Sequence, residues 1–165
     1  METIDHFVAT QFNDIELNVS FDKIKKVVNL LSLLLINTYI LSLKTFNYHW
    51  HIRTKLFDRL HAIADEQYDD FMAAIRDISN RIHALGYEIP DTYAQVAKLS
   101  EINMDNKDIY FVANELIERN ENIVRQIRYG MGHVADACDN VTYLLLMQRL
   151  RKHENNALNF RKILE

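Results

Sequence analysis

Turn-making residues are nearly missing from this chain. Three glycines (Gly86, Gly130, Gly132) and one proline (Pro90) serve 165 residues. Glycine accepts, and proline imposes, the backbone angles that reverse a chain. A sequence so poor in both makes few turns and long elements. Its apolar residues recur at i+3 and i+4 rather than at alternate positions, so the long elements read as helices.

At this length the chain is one domain with room for its own core. The net charge is −4, so no global attraction draws it to nucleic acid or a membrane surface. The single cysteine, Cys138, excludes an internal disulfide framework and suits a reducing compartment. The first twenty residues hold no Lys or Arg and so lack the basic head of a secretory signal. The most apolar run, Val27 to Leu43, is interrupted by Asn29, Ser32, Asn37, Thr38 and Ser42. A membrane span needs about 20 mostly apolar residues. The reading is a soluble, cytoplasmic protein with no membrane partner.

Residues 1–20 form an arm of mixed polarity, and residues 21–165 form the folded domain. Ser20 can cap a first helix at about 21–48. That helix is apolar on most sides: beyond one stripe it carries Leu30, Leu33 and Ile36, a surplus that points to a subunit interface. A second helix covers about 56–85 and stops at Gly86. Asp91 to Leu99 is a candidate for a short extra helix in the long connection. Asp105 can cap a third helix, with Asp108 in its first turn, ending near Tyr129 before Gly130 and Gly132. Asp139 can cap a fourth at about 140–163. The fold class is all-α: a four-helix bundle whose crossover of about 19 residues between helices two and three allows a ferritin-like arrangement.

Spacing raises a metal question. His61 and Asp65 are one turn apart on one helix face, and His49 ends the preceding helix. Together they make two nitrogens and a carboxylate, a set that suits Fe, Zn, Mn or Co without choosing among them. The same pair also reads as an ordinary exposed i,i+4 contact, and His49 as a hydrogen-bonding group at a helix end. His51, His83, His133 and His153 read as surface or structural, and Trp50 as an interface or core aromatic. No Glu-x-x-His motif occurs; Asp58-x-x-His61 comes nearest. A di-iron centre inside one bundle is therefore not encoded. Three ligands leave a weak site unless something completes it. Position 76 lies 15 residues beyond His61, about 22 Å along a helix. Only a second copy, with its helix pair running antiparallel, could bring that end of helix two to the histidines.

Five stretches carry a resemblance. They are Leu41-Ser42-Leu43-Lys44-Thr45-Phe46-Asn47-Tyr48-His49-Trp50, Leu56-Phe57 with Leu60-His61, Asp65-Glu66-Gln67-Tyr68-Asp69, Arg81-Ile82-His83-Ala84-Leu85-Gly86, and Arg151-Lys152-His153-Glu154-Asn155-Asn156-Ala157. With Thr92-Tyr93-Ala94 between them, they resemble the Dps family, the mini-ferritins, over residues 20 to 165. The resemblance implies a homo-oligomer, a hollow shell of twelve bundles. It also implies a ferroxidase centre at each two-fold interface, where Fe(II) is oxidised, preferably by hydrogen peroxide, and stored as ferric mineral. His49, His61 and Asp65 match the ligands from one subunit.

The family's second subunit supplies an Asp and a Glu where this chain has Arg76 and Asn80. Neighbouring Asp77 does not rescue the site, because one residue turns a helical side chain by about 100°. A permanent cation and an amide thus replace two anions beside a dication's position. Arg76 is expected to pair with Asp65 across the interface. Two functional readings follow: iron storage and peroxide consumption with a weakened ferroxidase site, or a non-catalytic shell protein that has lost the site. An unrelated helical interaction module is a third reading, which the motifs disfavour. DNA-binding family members often carry a Lys-rich arm; this arm lacks it, so weak or absent DNA binding is expected. Asp136 and Asp139, before helix four, are candidates for an acidic iron-entry pore, with a solvated helix cap as the plainer role.

Overall fold

The computed structural model describes residues 20–51, 57–91 and 109–165. Its helices are α1 (Phe21–His51), α2 (Phe57–Ala84), α3 (Ile109–Asp136) and α4 (Asn140–Leu164). Both ends of α1, of α2 and of α4 fall within about a turn of expectation. The N-terminal arm before Ser20, residues 92–99 of the expected short helix, and the caps Asp105 and Asp108 lie outside the described residues; Asp91 itself is not helical.

α3 corrects the sequence reading. It does not stop at Tyr129 but runs through both glycines to Asp136. Gly130 is there for packing. A Cβ built on it would sit 2.3 Å from Cδ2 of Leu30, so α1 presses against the α3 backbone at that point. Gly132 meets nothing within 4 Å. The two positions therefore predict opposite results. Gly130→Ala overpacks the α1–α3 seam and is expected to destabilise by about 1–3 kcal/mol. Gly132→Ala fills open space in a helix and is expected to stabilise by up to about 1 kcal/mol. Thermal melts of the two variants decide it; equal shifts would refute the close approach.

The reversals that end α2 and α3 share one geometry. Gly86 has φ 85°, and the N–H of Tyr87 donates back to the carbonyl of Ile82 at 3.3 Å. Cys138 has φ 53°, and the N–H of Asp139 donates to the carbonyl of Val134 at 3.2 Å. Both are helix ends closed by a left-handed residue. Asp139 then caps α4 as expected, its carboxylate accepting from the Thr142 N–H at 2.9 Å.

Cross-helix contacts give the topology. Moving up α1, Lys23 meets Asp136, Asn37 meets Gln126, and Lys44 meets Glu115. The partner numbers fall as α1 rises, so α1 and α3 are antiparallel. Asp70 meets Arg149 and Arg81 meets Asp139, so α2 and α4 are antiparallel too. Phe46 meets Tyr68 and His49 meets His61, so α1 and α2 are antiparallel. α2 and α3 therefore point the same way, so α2 ends and α3 begins at opposite ends of the bundle. Parallel second and third helices are the ferritin-like arrangement. Each helix packs on two others: α1 on α2 and α3, α4 on α3 and α2.

Leu31, Leu34 and Leu35 of α1 are buried in the centre with Phe71, Ile78 and Phe160. By length and apolarity alone α1 could cross a membrane. In the fold it is the core helix of the bundle. The surplus that pointed to an interface is partly absorbed within the chain. Leu30 seats on Gly130, and Ile36 is fully buried. The apolar residues that α1 leaves exposed lie at its ends: Phe21, Leu43, Phe46 and Trp50.

α1 also buries a charge. Lys44 is 3% exposed, and its Nζ donates to Glu115 Oε1 at 2.6 Å. The Tyr48 hydroxyl donates to the other oxygen of Glu115, and Arg119 Nε donates to Oε1 at 3.0 Å. Burial alone would raise the Glu115 carboxyl; the three donors outweigh it and hold it below its ordinary value. Burial, with Glu115 opposite, pushes the Tyr48 hydroxyl well up.

Candidate metal centre

The α1–α2 reversal places His49 against the first turns of α2. His49 is nearly buried, His61 about one-third exposed, and Asp65 largely exposed. The imidazoles stack with centroids 3.6 Å apart and planes 22° from parallel. Their Nε2 atoms are 2.9 Å apart. Asp65 spans both: Oδ1 is 3.1 Å from His49 Nε2, and Oδ2 is 3.8 Å from His61 Nε2. The three ligand atoms lie within 4.8 Å of one another.

This geometry adds His49 to the His61–Asp65 pair. An isolated i,i+4 contact would leave His49 out; here the two Nε2 atoms and the carboxylate face one point. Two imidazole nitrogens and one carboxylate are the donor set of the two-histidine, one-carboxylate triad, which leaves coordination positions open. The residues fit a divalent transition metal.

The remaining calls fall where α2 puts them. Arg76 and Asn80 are exposed on α2. Arg76 lies 11 residues past Asp65, about 16 Å along the axis, on nearly the same face. Within one chain it cannot reach the triad. Asp77 lines the groove between α2 and α4, away from the histidines. Asp136 is exposed at the end of α3. Asp139 is committed to its cap and to Arg81, whose NH2 lies 2.7 Å from Oδ1. Burial would raise the Asp139 carboxyl, but Arg81 and Thr142 reverse this and hold it low.

Around the triad lies an exposed aromatic patch. Trp50 is 61% exposed and meets His49 edge-on at 4.9 Å. Phe46 packs on Trp50 and, at 5.4 Å, on Tyr68 of α2, with exposed Met72 one turn further on.

Sequence reasoning passed over two polar sites. The Lys44–Glu115 network was signalled only by a charge inside an apolar helix. His153 is fully buried, stacked on Phe71, with Nδ1 2.9 Å from Asn120 Oδ1. Burial, then the charge of Arg149, drive its titration down to about 3.

Comparison with known proteins agrees with this architecture. The family model for the ferritin-like domain matches residues 28–165. A low temperature-induced protein of Nostoc is 28% identical over 92% of this chain and 87% of its own. A DNA protection during starvation protein of Helicobacter pylori is 22% identical over 77% of this chain and 90% of its own. The crystal structure of a Dps protein from Vibrio cholerae, described as a member of a broad superfamily of ferritin-like diiron-carboxylate proteins, superposes with a TM-score of 0.82. It is 24% identical and covers 96% of this chain and all of its own. The chain belongs to the ferritin-like family, and its fold is that of the Dps protein structure.

Proposed function

We propose that this protein is a mini-ferritin that takes up Fe(II) as its substrate, oxidises it with peroxide and stores the product. The convergence of His49 Nε2, His61 Nε2 and the Asp65 carboxylate carries the reading. The histidines supply nitrogen ligands, and Asp65 supplies charge. Each hydrogen peroxide takes two electrons, one from each of two Fe(II), and two protons, leaving two waters. Removing both reagents protects the cell from oxidative damage.

The site is completed by a second copy in a homo-oligomeric, dodecameric shell. The exposed patch of Phe46, Trp50 and Met72 beside the triad supports this, because an apolar surface next to an incomplete site is what a partner covers. Arg76 of the partner subunit then faces Asp65 and competes with iron for it. The ferroxidase site is therefore weakened. A second reading, a non-catalytic shell, is favoured by the same Arg76 and Asn80. Asp136, exposed before α4, is the carboxylate left for an entry pore. DNA binding is no part of the proposal, and the setting is cytoplasmic.

Anaerobic Fe(II) titration of the purified assembly, followed by peroxide, tests it. The wild type is expected to bind Fe(II) and oxidise it slowly; His61→Ala abolishes binding. Arg76→Asp combined with Asn80→Glu restores two anions, and oxidation is expected to quicken about tenfold or more, the equivalent of ~1.4 kcal/mol. A wild type that binds nothing while the double variant binds supports the silenced shell. Failure of both sinks the iron reading.

A further inference from the structure

The α2–α4 seam is the most sparsely packed of the four, and it opens into a groove of about 700 Å³. The groove shares no residue with the metal centre. Its α4 wall carries Arg151, Asn155, Asn159 and Lys162, spaced i, i+4, i+8 and i+11, so they form one stripe. A cation stands at each end, about 16 Å apart, with two amides between. Arg and Lys only donate hydrogen bonds, and Asn can donate two.

The charges of this groove are not cancelled. Four cations (Arg149, Arg151, Lys152, Lys162) face three carboxylates (Glu66, Asp70, Asp77), a net +1 in a chain of net −4. Asp70 is occupied by Arg149 at 2.7 Å and Lys152 at 3.4 Å. Glu66 and Asp77, on the α2 wall of the groove, are 11 residues apart, about 16 Å. Among the described residues, no ion pair joins Arg151 or Lys162 to any carboxylate. Behind the lining, Nε of Arg149 and Nδ2 of Asn156 are themselves sealed from solvent and lack a partner. Buried N–H groups without an acceptor are rare and call for one.

We propose that the α2–α4 groove is a phosphate-binding site, taking inorganic orthophosphate or a short phosphate chain against the α4 stripe. Phosphate offers several strong acceptor oxygens and pairs well with guanidinium and ammonium groups. The proposal does not rest on iron binding, and its test uses iron-free assembly.

Sodium orthophosphate and sodium tripolyphosphate are titrated separately by calorimetry at low salt. Saturable binding is expected. Tighter binding of tripolyphosphate identifies the chain form, and equal or weaker binding the free ion. Arg151→Gln with Lys162→Gln, both exposed, is expected to weaken binding about tenfold or more; Asp77→Asn is expected to tighten it. Asn159→Asp puts an anion in mid-stripe and serves as an independent loss variant. The proposal fails if neither phosphate binds the wild type saturably. It also fails if the double variant and Asn159→Asp both bind as the wild type does.

Discussion

Glu115→Ala is expected to lower the stability of this protein by about 3 kcal/mol, a fall in Tm on the order of 10 °C. The reason lies with the residues left behind. Lys44 is 3% exposed and would keep its charge inside the bundle with no carboxylate against it. Tyr48, equally buried, would lose the acceptor of its hydroxyl. Only Arg119, one-third exposed, could turn to water. The converse substitution is expected to be milder. Lys44→Met removes one of three donors and leaves Tyr48 and Arg119 on the carboxylate. Thermal or denaturant unfolding of the two variants tests the asymmetry. If Lys44→Met proves the more damaging, Glu115 is not the centre of the network.

The second large effect is a loss of stability on mild acidification. His153 titrates at about 3 in the fold and near 6.5 when unfolded. Below the unfolded value the unfolded chain takes up a proton that the folded chain refuses. Stability therefore falls as pH drops from 6.5 toward 3, by about 1.4 kcal/mol per unit and about 4–5 kcal/mol in all. The depressed carboxylates add to this only later. Asp70, Glu115 and Asp139 have lowered titrations, so their contribution is present above their unfolded values and is lost as pH falls through the folded ones. The ordinary values are 3.8 for the aspartates and 4.5 for the glutamate. Between pH 4.5 and 6.5 the slope thus belongs to His153 among these shifted groups. His153→Gln, whatever its effect at pH 7, is expected to flatten the stability curve in that window. An unchanged slope would show that the buried imidazole is not its source.

Both effects come from polar groups inside the bundle, and neither is visible in one dimension. Lys44 could be seen as an odd charge in an apolar helix. Its partner lies 71 positions away and is set by the antiparallel run of α1 on α3. His153 was one of four histidines read as surface or structural; only the closing of α4 on Asn120 and Phe71 made it a buried neutral base. Gly130 misled for a related reason. A glycine near the end of a helical run reads as a stop, and nothing local distinguishes it from a glycine that admits a side chain of another helix.

What the sequence determined by itself is what depends on short range. Helical periodicity, Gly86 in a left-handed conformation and the Asp139 cap each involve residues within a turn or so of one another, so four helices and most of their ends could be read directly. The i,i+4 relation of His61 and Asp65 belongs to the same class. The tertiary structure decided the rest. It folded α2 back on α1 and brought two imidazoles to 2.9 Å with a carboxylate beside them. It paired Lys44 with Glu115. It left the basic stripe of α4 facing a groove instead of a neighbour. These are contacts between distant positions, and their distances are set by how four cylinders pack, which no local pattern of residues records.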